Sequence, residues 1–138
     1  MILDTLGIIQ ERLNVKLQTS LKEMGLNVHC GHIWLLMLVY ENQGEIEIKE
    51  LVRRLEKKKT TVSDMITTLE KKGYLIKKQS LKDKRIYLVQ TTEKAELIKP
   101  NILVALEEIQ CEMFKGISQQ SLEETSNILL TISQNLNS

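Results

Sequence analysis

Apolar residues recur at positions 2, 6, 9, 13, 17, 21 and 24, three or four apart, and this period predicts a long amphipathic first helix. Gly25 is its expected stop and Asn27 the expected cap of the next helix. That second helix, about 28–41, is apolar nearly all round ("IWLLMLVY"), which marks it as the buried centre, and Gly44 breaks it. Ile46 and Ile48 alternate for one rung of strand before Ile48, Leu51, Val52 and Leu55 take helical spacing. A "KKK" turn at 57–59 leads to a helix with the stripe Val62, Met65, Ile66 and Leu69, capped by Thr60 or Thr61 and ended at Gly73. The period then drops to two: "GYLIKKQ" and "IYLVQT" flank a charged tip and predict a β-hairpin. Thr92 is expected to cap a fifth helix carrying Leu97, Ile98, Ile102, Leu106, Ile109, Met113 and Ile117, with a kink or a late start at Pro100. Gly116 and Ser118 mark a last break, and Leu122, Leu129, Ile132 and Leu136 carry the final helix.

Two short helices across a tight turn, the second running straight into a hairpin, are the order of a winged helix-turn-helix. The fold class expected is therefore mainly α with a small β-hairpin wing. Residues 1–138 form one chain in which 26–91 are the DNA-binding lobe, and 1–25 and 92–138 a helical dimerisation region. The second helix of the motif packs its apolar stripe inward, so the opposite face is the one offered to a major groove. That face carries Lys59, Thr60, Thr61, Ser63, Asp64, Thr67, Thr68 and Lys71. Small hydroxyls donate to phosphates and bases without blocking approach, and the N–H groups at the helix start suit a phosphate. At the wing tip, Lys82, Asp83, Lys84 and Arg85 would meet phosphates and the minor groove, where arginine is favoured. Asp83 makes sense there if it bonds Arg85 or a wing N–H and holds the guanidinium in place.

Charge sharpens this picture. The formal net charge is only +1, yet residues 49–85 hold 13 Lys/Arg against 5 Asp/Glu, a net of +8, and the remaining residues hold 6 against 13, a net of −7. A basic middle between acidic ends points to a polyanion-facing module, here double-stranded DNA. No apolar run approaches the length of a membrane span, and no leader pattern precedes the first helix, so no membrane partner and a cytoplasmic location are expected. With two cysteines and that location, Cys30 and Cys111 are read as thiols.

The stretches "TTVSDMITTLEKKGYLIKK", "DKR" at 83–85 and "TTEKA" at 91–95 resemble the MarR (multiple antibiotic resistance regulator) family, and the likeness extends over the flanking helices. The resemblance implies a homodimer with interlocked first and last helices. It also implies a wing arginine at Arg85 with its partner acid at Asp83, and a repressor released by a small ligand bound between lobes and dimerisation helices. Three departures stand out: the acidic Asp64 on the DNA-facing side, Lys57 at a turn position where Gly or Asn suits a positive φ, and Thr91 and Ala95 where the family often has Leu and Gly.

Independently of the family, the long apolar stripes of the end helices require a partner, and a second copy is the expected one, giving a homodimer; the alternative is that they fold back as an intramolecular bundle. The function expected is a sequence-specific transcription regulator acting as a ligand-responsive repressor on a pseudo-palindromic operator. Its small-molecule effector is of unknown identity, and Trp34, Met37 and Tyr40 are candidates to border the pocket. Two other readings compete: a winged-helix protein-interaction module, and a repressor that reads zinc or oxidant through Cys30, with His29 and His32 beside it as metal ligands. No cofactor is expected. With no phosphate loop, Ser–His–Asp set or paired carboxylates, catalysis is not expected either.

Overall fold

The computed structural model describes residues 1–137. Among these, the chain forms six α-helices, one 3-10 turn and a three-stranded antiparallel sheet, in the order α1 (Ile2–Glu23), 3-10 turn (Cys30–His32), α2 (Ile33–Glu41), β1 (Glu45–Glu47), α3 (Ile48–Leu55), α4 (Lys59–Lys71), β2 (Leu75–Gln79), β3 (Tyr87–Thr91), α5 (Glu93–Met113) and α6 (Gln119–Leu136). β3 lies in the middle of the sheet, with Ile46 opposite Val89 on one side and Lys77 opposite Val89 on the other.

The expected stripes supply the core. Leu35, Leu36 and Val39 of α2, Leu51 of α3, Val62, Ile66 and Leu69 of α4, and Leu75 and Val89 of the hairpin pack in one cluster. Leu17 and Leu21 of α1 and Ile102 and Ile109 of α5 join the same cluster, so the end helices complete the winged lobe rather than stand apart from it. The rest of α1, the outer face of α5 and the whole of α6 behave differently. Among the described residues, none of α6 is buried, and Ile8, Ile9, Val15, Leu103, Val104, Ile128, Leu129 and Leu130 stay exposed.

Several local expectations are corrected. Asn27 does not cap the second helix. His29, in extended backbone, instead caps the 3-10 turn that leads into α2, its Nδ1 accepting from the Gly31 N–H at 3.0 Å, and α2 itself follows from His32 with no side-chain capping bond among the described residues. The positive φ of the α3–α4 turn falls on Glu56 (φ 52), not on Lys57. Thr92 caps α5 as expected, accepting from the Ala95 N–H at 3.2 Å, and the helix runs through Pro100 without a late start. Thr91 and Ala95 have local reasons: the Thr91 hydroxyl donates to Glu96 Oε1 at 2.7 Å, and the Ala95 methyl is fully buried. Gly44 (φ 82) must stay bare, because a Cβ there would meet the Thr91 hydroxyl at 2.9 Å.

Candidate nucleic-acid interface

α4 faces two ways. Val62, Met65, Ile66 and Leu69 are buried, which turns Lys59, Thr60, Thr61, Ser63, Asp64, Thr67 and Lys71 outward and leaves Thr68 half-buried. Neither Thr60 nor Thr61 is the cap. Lys58 holds the N-cap position in extended backbone, with no side-chain capping bond among the described residues, and both threonines lie inside the first turn. The opening N–H groups of α4 are therefore left for a partner outside the helix, and an anion is what that end of the dipole favours. The hydroxyls of Thr67 and Thr68 donate to the carbonyls of Ser63 and Asp64, four residues back, at 3.0 and 3.1 Å. With their protons so placed, these two side chains present acceptor lone pairs rather than donors. Asp64 likewise presents an acceptor, so the middle of the outward face suits base amino groups, while the first turn suits phosphate.

The wing projects beside this helix, and its tip is tied to itself. Arg85 donates from Nε and Nη2 to the two carboxylate oxygens of Asp83 at 3.1 and 3.0 Å, and its backbone N–H donates to the same carboxylate at 3.0 Å. Asp83 thus does both jobs expected of it. The guanidinium bonds hold its carboxyl below the usual carboxylate range. The pair occupies the Nε–Nη2 edge of the guanidinium and leaves the side chain 91% exposed, with Nη1 outside the pair. Lys82 and Lys84 flank it in solvent.

Between α3, α4 and the wing lies a cleft of about 670 Å³. Lys49, Lys59, Lys77 and Arg85 bring four cations to it, against the carboxylates of Glu47 and Glu70 and a floor that includes Ile66 and Tyr87. α4 and the wing therefore share one cationic concavity, although strand β2 separates them in sequence. Sequence reasoning missed Lys49 and Lys77; their only signal is membership of the basic middle.

A second set of contacts fixes the angle of α4. Its C-terminal carbonyl at Lys72 accepts from Lys94 Nζ at 2.5 Å, and the same ammonium lies 4.6 Å from the Tyr74 ring centroid. The Thr92 hydroxyl donates to the Gly73 carbonyl at 2.6 Å and the Thr92 N–H to the Tyr74 carbonyl at 3.1 Å. The start of α5 thus clamps the end of α4.

The remaining candidates are scattered. Tyr40 is buried in the core, its hydroxyl donating to the Ala95 carbonyl at 2.5 Å, and burial pushes its acidity well below that of a free phenol. Trp34 is about half exposed (47%) and Met37 half-buried; neither lines the cleft beside α4 or a smaller one between α1 and α5. Cys30 is buried, with its N–H donating to Gln18 Oε1 at 2.9 Å, whereas Cys111 is exposed. The rings of His29 and His32 lie 5.6 Å apart, and no group of three or more His, Cys, Asp or Glu able to hold a metal occurs among the described residues. A buried Cys30 is screened from the oxidant or metal that a sensing role requires. Among the described residues no helix is long and apolar enough to cross a membrane.

Comparison with known proteins places this geometry. Residues 32–87, from the start of α2 to the wing, match the MarR family. The HTH-type transcriptional regulator SarZ of Staphylococcus haemolyticus is 31% identical over 104 residues, 74% of this chain and 68% of that protein. The HTH-type transcriptional regulator PapX of Escherichia coli is 28% identical over 132 residues, covering 85% and 80%. Among solved structures, a MarR-family transcriptional regulator from Listeria monocytogenes complexed with 26-mer DNA superposes with a TM-score of 0.86 at 31% identity, over 99% of this chain and 89% of that one.

Proposed function

The chain belongs to the MarR family of DNA-binding transcription regulators, and on that premise we propose that it is a ligand-responsive repressor binding a pseudo-palindromic operator as a homodimer. The observation that carries the DNA half of this reading is the shared concavity of α4 and the wing, with Arg85 held by Asp83. Lys59, Thr60 and Thr61 at the start of α4 take a phosphate. Ser63, Asp64, Thr67, Thr68 and Lys71 face base edges, and Arg85, with Lys82 and Lys84, enters the minor groove and its phosphate rim. Residues 26–91 act as the DNA-binding lobe.

The dimer half rests on the uncovered apolar surface of α1, α5 and α6 within residues 1–25 and 92–138. An 18-residue helix with no buried residue gains little from folding on its own chain. A second copy, contributing the same stripes, buries both. Two lobes then meet half-sites about 10 bp apart, so a small change in their separation breaks both registers together. A small apolar or aromatic effector seated against Trp34 and Met37 would act through that separation. Tyr40, on the same helix, is buried and would border that pocket from the core side. The protein works in the cytoplasm, where its DNA is.

The test is binding to duplex DNA from the region upstream of its own gene, over a salt series, for wild type and Arg85→Ala. Affinity should fall steeply with salt, with a log–log slope growing by about −0.9 for each phosphate contacted. The variant should bind more weakly. The complex should contain two chains of 15.9 kDa. Absence of binding to this and to random DNA at roughly 50–100 mM salt would sink the reading.

A further inference from the structure

Leu81, at the wing tip, is the most exposed of the large apolar side chains described, at 103% of its free reference. A lone exposed leucine is ordinary, but this one stands on a loop whose backbone is held on both sides of it. The Ser80 N–H donates to the Ile86 carbonyl at 2.8 Å, and the Ile86 N–H to the Asp83 carbonyl at 3.0 Å. Ser80 Oγ accepts from the N–H groups of Lys82 and Asp83 at 3.2 and 3.4 Å, and Gln79 Nε2 donates to the Lys84 carbonyl at 2.5 Å. The tip thus turns its polar backbone inward and its leucine outward, on the same short loop as Lys82, Lys84 and Arg85.

We infer that Leu81 is a DNA contact: an apolar anchor that packs on the deoxyribose wall of the minor groove beside Arg85. This deepens the DNA-binding reading and rests on it. A tip that met only phosphates would gain nothing from a leucine, whereas proteins that enter the minor groove combine cations with apolar side chains. The sugars lining that groove offer C–H surface, which water hydrates poorly and a leucine covers well. Because the tip backbone is already ordered by its own hydrogen bonds, only the leucine's own rotamers are fixed when it docks.

The probe is the duplex that wild-type protein selects from a random-sequence pool. Leu81→Ala should bind it about fivefold more weakly per wing, the weight of half-burying one leucine. The salt slope should not change, since no counterion is released by an apolar contact, and Leu81→Met should restore most of the affinity. Lys82→Ala, by contrast, should flatten the slope by about 0.9 for each phosphate it no longer neutralises. Hydroxyl-radical cleavage, which reads exposure of the minor-groove sugars, should increase in the Leu81→Ala complex only under the wing. The thermal midpoint of the free protein should be that of wild type, because Leu81 touches no part of the fold. Affinity within twofold of wild type, a changed slope, or an unchanged sugar pattern overturns the inference while leaving DNA binding intact. Failure of the wild type to enrich any duplex overturns the DNA-binding reading itself.

Discussion

Lys94→Met tests whether the start of α5 sets the angle of the recognition helix. In the wild type the ammonium donates to the carbonyl of Lys72, one of the acceptors that the end of α4 leaves without a helical partner, and sits 4.6 Å from the Tyr74 ring centroid. Methionine keeps an unbranched stem of similar reach and removes the charge. A hydrogen bond from a charged donor contributes about 1.5–3 kcal/mol when shielded; Lys94 is exposed, so about 1 kcal/mol is the appropriate share. The cation over the ring adds about 0.5–1 kcal/mol. Releasing the ordered lysine returns part of this as side-chain entropy, up to about 1 kcal/mol. The expected loss is therefore about 1 kcal/mol in urea unfolding with an unchanged m-value, since the buried surface stays the same. Amide exchange at Gly73 and Tyr74, whose N–H groups donate to Glu70 and Leu69, should quicken by about fivefold, the equivalent of that loss. Operator affinity should fall with its salt slope unaltered, because a helix held less firmly loses register rather than phosphate contacts. A change below about 0.3 kcal/mol with unaltered exchange would refute the reasoning: it would mean that solvent screening cancels the clamp, and that Thr92 alone holds the junction.

Two further outcomes follow from groups inside the lobe. Tyr40→Phe removes the donor to the Ala95 carbonyl and should cost about 1–1.5 kcal/mol in the same urea assay; a neutral result would mean that the carbonyl is as well served by its own helix. His32 has a buried Nδ1 with no hydrogen-bond partner among the described residues, and burial, then His29 and Lys72, lower its proton affinity from the ordinary 6.5. The folded chain thus takes up this proton less readily than the unfolded one, so stability is full above about pH 6.5 and declines as the pH falls below it. In His32→Leu that acid-side decline should be shallower, and an identical pH profile in the two proteins would exclude His32 as its source.

The elements are legible in the sequence because each carries its period openly: a stripe every three or four residues in α1, α4 and α5, and alternation in the hairpin. The Asp83–Arg85 pair is legible because its members stand two residues apart and need only a turn to meet. What the sequence hides is one level finer. Asn27, Thr60 and Thr61 are good capping residues by type, but the extended backbone that a cap needs falls at His29, before the 3-10 turn that leads into α2, and at Lys58, before α4. Lys57 and Glu56 cannot be told apart by type because neither is a natural occupant of a positive φ. The clamp of Lys94 on Lys72 spans 22 residues and depends on where α5 lands, which no local pattern encodes. The bond from the Tyr40 hydroxyl to the Ala95 carbonyl is hidden for a related reason: its partners stand 55 residues apart, and an aromatic on an apolar helix does not say which carbonyl it will meet.

The sheet has two outer strands, and neither invites growth. β1 is only three residues long, and β2 shows Lys77 and Lys78 to solvent, the first 5.1 Å from the Tyr87 ring centroid and the second reaching across the sheet to Glu45 at 2.5 Å. A neighbouring molecule that tried to extend the ladder along β2 would bring its own lysines against these, and along β1 it would find too few rungs to hold. The cations that suit this hairpin to a polyanion therefore also make it a poor template for its own kind, so that crowding many copies onto one stretch of chromosome carries little risk of fibrous aggregation through the wings.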